Sequence, residues 1–233
     1  MIKEAILLAG GLGTRLSKVL PDLPKPMAPV NGRPFIEYVM DFLIRFQVRK
    51  FILSVGYKHE VFASHFANDY KDCQVLFSVE HEPLGTGGAI KKSLEYSESP
   101  DVFVLNADTL FRIDITAMQA SHKKSNADLT MALRKMENVD RYGAVETNDD
   151  MRITGFAEKN TAKGSGYING GAYIFKKDFF ETLPLPEKFS LEKDCLEKYY
   201  SSLNINGFPS KGYFLDIGIP EDYEKAQHEI KTL

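Results

Sequence analysis

The chain has 233 residues, of which 43% are hydrophobic and 26% are charged, and its formal net charge is −3. This length fits one domain, residues 1–233, with a sizeable core, and the mild negative charge gives no electrostatic support for a nucleic-acid partner. No apolar run is long enough to span a membrane, and the N-terminal run lacks the basic leader of a signal peptide, so we expect a cytoplasmic protein. The cysteines, Cys73 and Cys195, lack metal-site spacing and are expected to be reduced structural thiols.

Strand-like and helix-like segments alternate along the chain, which predicts a layered α/β domain with a mainly parallel sheet. In chain order the predicted strands cover residues 2–8, 50–55, 74–79, 101–105, 127–133, 142–146, 151–158 and 168–175. The last two alternate more like antiparallel strands. The predicted helices cover residues 34–46, 59–66, 87–96, 190–200 and 220–230. In such sheets ligands bind outside the carboxyl ends of the strands, and Glu80 and Asp108 fall at such ends.

A glycine-rich turn follows the first predicted strand. Residues 7–16 read Leu-Leu-Ala-Gly-Gly-Leu-Gly-Thr-Arg-Leu, and Lys25 follows ten residues after Arg15. Glycines let the backbone approach phosphates and present N–H donors to them. Arg15 offers a planar charged fork for phosphate oxygens, and Lys25 offers a movable point charge. The segment therefore favours binding of a nucleoside triphosphate.

A glycine-rich turn after a strand has three other common interpretations. The dinucleotide fingerprint needs a third small residue where Leu16 stands, and the phosphate loop of NTPases needs a Lys directly after a glycine, which is absent here. A tight strand-to-helix turn without a ligand is the third. Three glycines in four residues, followed by Thr-Arg and later by Lys-Pro, count against that last interpretation.

The Gly-Gly-x-Gly-Thr-Arg-Leu segment with the later Pro24-Lys25-Pro26 resembles the signature of the sugar-1-phosphate nucleotidyltransferases. These enzymes join a nucleoside triphosphate to a sugar 1-phosphate, release pyrophosphate and supply nucleotide sugars for surface polysaccharide synthesis. The resemblance runs over nearly the whole chain and is strongest to guanylyltransferases acting on heptose or mannose 1-phosphate. It implies a Rossmann-like three-layer α/β/α fold with a mixed, mainly parallel central sheet. The C-terminal left-handed β-helix domain of some members is not expected here.

Two acidic residues match the family's metal positions. Asp108 ends the run Val-Leu-Asn-Ala-Asp, in which Ala107 stands where the family usually has glycine, and Asp216 lies in Phe-Leu-Asp-Ile-Gly-Ile-Pro. Taken alone, Asp108 fits a capping role. Together with Asp216 and a triphosphate loop, it favours a shared Mg²⁺, which binds through one or two carboxylates and phosphate oxygens. Asp222 is interpreted as an ordinary acid in the first turn of a helix.

The segment Glu-His-Glu-Pro-Leu-Gly-Thr-Gly-Gly-Ala at residues 80–89 is interpreted as the base-reading loop. A carboxylate only accepts hydrogen bonds, and guanine presents two adjacent donors, N1–H and the 2-amino group. Uracil-using relatives tend to carry Gln near this position, so Glu80 favours GTP, with Glu82 as a rival for the same role. Gly85 is expected to let the backbone approach the base. The predicted nucleotide-binding residues are Leu8, Ala9, Gly10, Gly11, Gly13, Thr14, Arg15, Lys25, Glu80, Pro83, Gly85, Thr86, Asn106 and Asp108.

The family resemblance also implies a sugar-phosphate pocket. Glu158 and Asn169 would bind sugar hydroxyls, Lys159 would neutralise the phosphate, and Gly143 and Gly171 would leave room for the ring. Without the family match, the adjacent Glu-Lys pair would be an ordinary solvated surface pair.

These residues predict an Mg²⁺-dependent transfer in which the sugar phosphate attacks the α-phosphorus of GTP, with Arg15 and Lys25 as the catalytic cations. Several alternatives remain at this point: a mannose-1-phosphate guanylyltransferase, a uridylyltransferase on glucose or N-acetylmuramic acid 1-phosphate, a glycosyltransferase of related fold, or a non-catalytic regulatory subunit. A glycosyltransferase would typically show Asp-x-Asp where Asn106-Ala107-Asp108 stands. A regulatory subunit would be expected to lose Arg15, Lys25 or an aspartate. A homo-oligomer is compatible with the sequence.

Overall fold

A computed structural model of the protein describes residues 1–11, 23–67, 69–139, 144–157 and 164–230. The strands are β1 (Glu4–Leu8), β2 (Pro29–Val30), β3 (Arg33–Pro34), β4 (Lys50–Val55), β5 (Asp69–Tyr70), β6 (Cys73–Val79), β7 (Asp101–Asn106), β8 (Thr109–Phe111), β9 (Leu129–Met136), β10 (Ala144–Thr147), β11 (Ile153–Ala157), β12 (Gly166–Lys176), β13 (Ile205–Ser210) and β14 (Phe214–Asp216). The helices are α1 (Phe35–Ile44), α2 (His59–Phe66), α3 (Gly85–Leu94), α4 (Ile115–Ser125), α5 (Glu197–Tyr199) and α6 (Pro220–Glu229), with a 3-10 turn at Lys25–Met27 and a π-helix at Leu191–Leu196 before α5.

The central sheet is mixed and mainly parallel. Strand β1 lies between β4 and β7, β6 follows β4, and all four run in parallel. Strand β12 runs antiparallel to β7 and to β9, and β13 pairs in parallel with β9. Strands β10 and β11 form an antiparallel pair beside the first half of β12, and β5 pairs antiparallel with β6 at one edge. Strand β1 is therefore central, and residues 9–11, which follow it, lie near the middle of the sheet's edge.

Helices cover both faces of this sheet. Residues of β1 alternate between two buried clusters: Ala5 and Leu7 belong to one, which includes residues of α1, α2, α4 and α6. Ile6 belongs to the other, which includes residues of α3 and the π-helix. Side chains that alternate along a strand point to opposite faces of a sheet. The protein is thus a three-layer α/β/α structure, as the sequence predicts.

The predicted elements match the observed ones closely where hydrophobic periodicity is strong. Strand β4 and helix α2 have the predicted bounds, and the antiparallel alternation predicted before residue 176 is confirmed in β11 and β12. Helix α4 was not predicted. Its signals are Asp114, whose carboxylate accepts the Ala117 N–H at 2.9 Å as an N-cap, and an apolar face that includes Ile115 and Met118.

Both cysteines are buried and unbridged. Burial raises the pKa of the Cys73 thiol, and it raises that of Cys195 to about 12. A protonated, buried thiol is a poor nucleophile, so both behave as structural groups, as expected. Among the described residues, no helix has the length and apolar character needed to cross a bilayer.

A buried histidine on α4 makes folding stability depend on pH. His122 is 3% exposed, its Nδ1 lies 2.8 Å from the Thr130 Oγ1, and its Nε2 lies 3.5 Å from Asp101. Burial lowers its pKa below 6.5; Asp101 and Asp128 oppose that shift, and Lys176 adds to it. The unfolded chain therefore binds the His122 proton more readily than the folded one. The contribution of neutral His122 to the free energy of unfolding is fully present above pH 6.5 and declines as the pH falls below that value.

We therefore expect the free energy of unfolding to be lower at pH 5.5 than at pH 7.5, and His122→Gln to reduce this difference. Urea unfolding at both pH values measures it. His228→Gln, at an exposed position on α6, is the matched control and should keep the wild-type difference. An unchanged pH dependence in His122→Gln would contradict this assignment.

Candidate active site

A pocket of about 700 Å³ opens at the carboxyl ends of β1, β4, β6 and β7. This is the edge of an open α/β sheet at which ligands bind. The lining residues are Leu8, Ala9, Gly10, Gly11, Lys25, Pro26, Ser54, Gly56, Tyr57, Glu80, His81, Pro83, Gly85, Thr86, Ala89, Asn106, Asp108 and Gly218.

Lys25 is the cation of this pocket in the described part of its wall. Its side chain is only 10% exposed, and its Nζ lies 2.6 Å from Asp108 Oδ2 and 3.2 Å from Asp216 Oδ1. Pro24 and Pro26 flank it, and the 3-10 turn closes with the Ala28 N–H donating to the Lys25 carbonyl at 3.0 Å. The two prolines restrict the backbone on both sides, so the ammonium group is aimed at the carboxylates by a stiff segment.

Asp216 ends β14, and Asp108 lies directly before β8, the strand that pairs with β14. Thr109, next to Asp108, pairs with Asp216 across β8 and β14, and the Ile217 N–H donates to the Asp108 carbonyl at 3.1 Å. Burial and the neighbouring Asp108 charge raise the pKa of Asp216, while Lys25 opposes the shift. Two carboxylates that repel each other around one cation form a site that favours positive charge.

The segments that carry Lys25 and Asp216 are also joined away from the pocket. The Pro29 carbonyl accepts hydrogen bonds from Tyr223 Oη at 2.6 Å and Gln227 Nε2 at 2.8 Å. The Asn31 N–H donates to Gln227 Oε1 at 2.9 Å. We call this group of four residues the hairpin–helix clamp. It joins the β2–β3 hairpin, which follows Lys25 along the chain, to α6, which follows Asp216.

Glu80 forms the opposite wall. Its carboxylate accepts hydrogen bonds from the Ser54 hydroxyl at 3.3 Å and from the Leu84 N–H at 3.1 Å. A Cβ at Gly10 would lie 2.8 Å from Glu80 Oε1, so the Glu80 carboxylate fits in this position because residue 10 is a glycine. A carboxylate can accept about four hydrogen bonds, which leaves acceptor capacity toward the pocket. Glu82 is exposed and is not among the lining residues.

The start of α3 is held by the segment that leads into the π-helix. The Phe189 carbonyl accepts from the N–H groups of Gly87 at 3.1 Å and Gly88 at 3.3 Å. Gly85 has a φ of +73°, and a Cβ there would lie 2.5 Å from the Phe189 carbonyl oxygen. Gly85 lines the pocket, so its predicted approach to a base stays a prediction. Its small size is also needed for packing against Phe189.

Gly87→Ala is expected to lower the free energy of unfolding by up to about 2 kcal/mol, because overpacking usually costs about 1–3 kcal/mol. A Cβ at Gly87 would overlap the Phe189 ring, which is 2% exposed and packs against Phe180 with ring centroids 5.5 Å apart. This cost outweighs the gain of about 1 kcal/mol in helix propensity. Denaturant unfolding measures the change, and Lys91→Ala, at an exposed position of the same helix, is the control with little expected effect. A Gly87→Ala protein as stable as the control would contradict the packing argument.

Two predicted sugar-binding residues lie beside the pocket rather than in its lining. Asn169 Nδ2 donates to the Tyr173 hydroxyl at 2.6 Å, and its Oδ1 accepts the Gly171 N–H at 2.9 Å. Gly171 has a φ of +69°, and a Cβ there would lie 2.5 Å from Asn106 Nδ2. Gly171 thus lies against Asn106, which lines the pocket. Asn169, two residues earlier in β12, lies near the same end of the sheet.

All the predicted nucleotide-binding residues in the described part of the chain line this one pocket. They are Leu8, Ala9, Gly10, Gly11, Lys25, Glu80, Pro83, Gly85, Thr86, Asn106 and Asp108. Six predicted site residues lie outside the described residues: Gly13, Thr14, Arg15, Gly143, Glu158 and Lys159.

Five lining residues lie outside the predicted nucleotide-binding residues and the predicted base-reading loop: Pro26, Ser54, Gly56, Tyr57 and Gly218. His81 and Ala89 line the pocket as part of that loop. A sequence signal existed for Gly56 and Tyr57, because they directly follow a predicted strand next to the glycine turn. Gly218 is explained by close approach: a Cβ there would lie 3.0 Å from Asp216 Oδ1 and 3.2 Å from Lys25 Nζ.

Comparison with known proteins extends these findings over the whole chain. Residues 4–232 match the model of the family described as Nucleotidyl transferase. The chain is 47% identical to a D-glycero-alpha-D-manno-heptose 1-phosphate guanylyltransferase of Aneurinibacillus thermoaerophilus, covering 98% of each chain. It is 41% identical to the enzyme of the same name from Campylobacter jejuni, covering 94% of this chain and 96% of that one.

A match to a solved structure also covers nearly the whole of both chains. HddC from Yersinia pseudotuberculosis, complexed with GMP-PN, is 38% identical with a TM-score of 0.87, and the match covers 98% of this chain and 100% of that one. The family match spans the glycine turn after β1, Lys25, Asp108, Asp216 and α6 alike. This protein belongs to the nucleotidyl transferase family.

Proposed function

We propose that this enzyme transfers GMP from GTP to D-glycero-α-D-manno-heptose 1-phosphate and releases pyrophosphate. The observation that carries the proposal is the single pocket that brings Glu80 together with Lys25 and Asp108. Glu80 supplies the acceptor for a base, and the other two, with Asp216, form a charged centre for phosphates. The choice of heptose is supported by the names of the two similar guanylyltransferases described above.

Glu80 is proposed to select guanine. The N1–H and 2-amino donors of guanine match an acceptor that still has free lone pairs after binding Ser54 and Leu84. Uracil would turn carbonyl oxygens toward the same carboxylate, which is unfavourable. Glu82, the rival in the sequence, is exposed outside the pocket lining, and this favours Glu80.

The reaction proceeds by in-line displacement. A phosphate oxygen of the sugar 1-phosphate attacks the α-phosphorus of GTP, a new P–O bond forms, and the bond to the bridging oxygen breaks, so that pyrophosphate leaves with its electron pair. Lys25 neutralises the α-phosphate and the incoming phosphate. Arg15 is proposed to stabilise the leaving pyrophosphate. Positioning and charge neutralisation supply the catalysis, and no covalent protein intermediate is needed.

The two aspartates fit a divalent metal. They already surround one cation, the Lys25 ammonium, and the pKa of Asp216 is raised because burial and a second carboxylate disfavour its charge. We propose that Asp108 and Asp216 hold Mg²⁺, which when bound offsets the charge of the triphosphate. Gly143, Glu158, Lys159, Asn169 and Gly171 are proposed to hold the sugar 1-phosphate, and we place the reaction in the cytoplasm.

Pyrophosphate release with Mg²⁺ tests the proposal over a grid of substrates. GTP, UTP, CTP, dTTP and ATP are each paired with heptose, mannose, glucose, N-acetylglucosamine and N-acetylmuramic acid 1-phosphates. We expect turnover with GTP and heptose 1-phosphate, and turnover with mannose 1-phosphate alone would reassign the sugar. Turnover restricted to UTP would overturn the role of Glu80, and no turnover in the grid by folded protein would favour a regulatory subunit.

Glu80→Gln sharpens the test of base selection. An amide presents a donor as well as an acceptor, so we expect kcat/KM for GTP to fall about 10- to 100-fold, the effect of one or two poorly matched hydrogen bonds. Glu82→Gln is the matched control, two residues away and exposed, and should behave as wild type. Equal effects of both substitutions would contradict the assignment.

A further inference from the structure

Three large hydrophobic side chains are exposed among the described residues. Met1 is 72% exposed, Tyr57 is 45% exposed and Tyr96 is 38% exposed. Tyr57 is the one of these that lines the pocket. At the rim of a binding pocket an exposed aromatic ring offers a ligand an apolar face, and covering that face lowers the free energy because water leaves it.

The surroundings of Tyr57 place it at the base end of the pocket. It follows Gly56, where a Cβ would lie 3.6 Å both from the Glu80 Cβ and from the Gly10 carbonyl oxygen. Gly56 therefore lies between the glycine turn and Glu80, and Tyr57 is the next residue along the wall. The charged centre is formed by Lys25 in the 3-10 turn, Asp108 just before β8 and Asp216 in β14, so it does not involve the turn that carries Tyr57.

The backbone around Tyr57 is well fixed. The strand β4 ends two residues earlier, and the His59 N–H donates to the Gly56 carbonyl at 3.2 Å, which closes the turn into α2. The Lys58 Nζ lies over the Tyr57 ring, 5.3 Å from its centroid. The Tyr57 residue also lines the pocket and is 45% exposed, so a planar ligand can reach it.

We propose that Tyr57 is a stacking platform for the purine base of the bound nucleotide. The inference rests on the proposed function for the identity of that base. Glu80 reads the edge of the base through hydrogen bonds, whereas the Tyr57 ring contacts its flat face. Stacking on an aromatic side chain adds affinity for any base with a π-face, and a purine offers the larger one. Tyr57 therefore contributes affinity, and Glu80 contributes selectivity.

Direct binding to the full chain tests this inference. GTP with Mg²⁺, and no sugar phosphate, is titrated calorimetrically into wild type, Tyr57→Ala, Tyr57→Phe and Tyr96→Ala. We expect the Kd of Tyr57→Ala to rise about 10- to 100-fold, the usual effect of removing a stacking ring. Tyr57→Phe should stay within about twofold because it keeps the ring, and Tyr96→Ala, an exposed tyrosine outside the pocket, should bind as wild type.

A second probe separates a contact to the base from a contact to the phosphates. Inorganic tripolyphosphate carries the charge of the nucleotide and no base, so we expect Tyr57→Ala to bind it as wild type does. Unchanged GTP binding by Tyr57→Ala, or equal loss of GTP and tripolyphosphate, would overturn the stacking role. Thermal unfolding of each variant identifies any loss that comes from misfolding.

This outcome is independent of the proposed reaction. If the grid of substrates shows another nucleotide to be the true one, the same titration is made with that nucleotide against tripolyphosphate. The proposed function fails on turnover, whereas the stacking role fails on the difference between the two ligands.

Discussion

Lys25→Met is expected to lower kcat by about 10²- to 10³-fold with GTP and heptose 1-phosphate, the usual cost of removing one group that stabilises transition-state charge. Methionine keeps most of the volume of the side chain but removes the ammonium group. That group is 10% exposed and lies within 3.2 Å of both aspartates, so solvent cations replace it poorly. Initial rates of pyrophosphate release at saturating substrates measure the loss.

The same substitution should also affect the ground state. Without Lys25, no ammonium group offsets the negative charges of Asp108 and Asp216. Mg²⁺ should therefore bind at least as tightly as in wild type, while turnover falls. Lys193→Met, which removes an exposed lysine on the π-helix, is the control and should retain wild-type kcat. A Lys25→Met enzyme within tenfold of wild type would remove Lys25 from the catalytic group.

Asp108→Asn is expected to reduce activity about 10²-fold or more and to raise the Mg²⁺ concentration needed for half-maximal rate. An amide keeps the shape of the side chain but removes one of the two charges that favour a metal. Charge neutralisation by a metal is worth several kcal/mol in such reactions, and each 1.36 kcal/mol corresponds to a factor of ten in rate. A magnesium titration of the initial rate, made with wild type and variant in parallel, measures both effects.

Asp222→Asn is the matched control for the metal prediction. Asp222 lies in the first turn of α6, six residues after Asp216, and is not among the pocket residues. Its loss should change the stability of the helix by a fraction of a kcal/mol, about 0.3–1 kcal/mol, without altering the magnesium requirement. If Asp108→Asn shows the wild-type dependence of rate on magnesium concentration, the metal assignment is contradicted. Equal shifts in both variants would show that the shift comes from the loss of any negative charge and not from the loss of a metal ligand.

Periodicity predicted the layers of this fold well because its main strands are apolar on both faces. Strand β4 has four fully buried apolar residues, and its bounds follow from the sequence. Helix α4 was missed because its buried face includes polar residues, Gln119 and His122, which hide the apolar spacing. Gln119 is buried because its Oε1 accepts the Ile2 N–H at 3.0 Å. That contact joins residues 117 positions apart, which no local pattern reveals.

The site was predictable where local motifs carry it. The glycine turn, Lys25 between prolines, and an aspartate after each of two strands could be found from the residues and the family resemblance. The packing role of Gly85 and Gly87 could not, because their partner Phe189 lies about a hundred residues further along the chain. Ser54 and Tyr57 were missed for a related reason: their strand end becomes part of the pocket only through its pairing with β1 and β6.

The hairpin–helix clamp has a consequence for the chain as it is synthesised. Lys25 leaves the ribosome well before Asp216 and the clamp residue Gln227, which follow about 190 to 200 residues later. The parallel pairing of β1, β4 and β6 needs only the first third of the chain. A nascent chain can therefore build these three strands and its base-reading wall well before the charged centre is complete. The charged centre is complete only once Asp216 and α6 have been synthesised, so a nascent chain that lacks them has the base-reading wall without the complete charged centre.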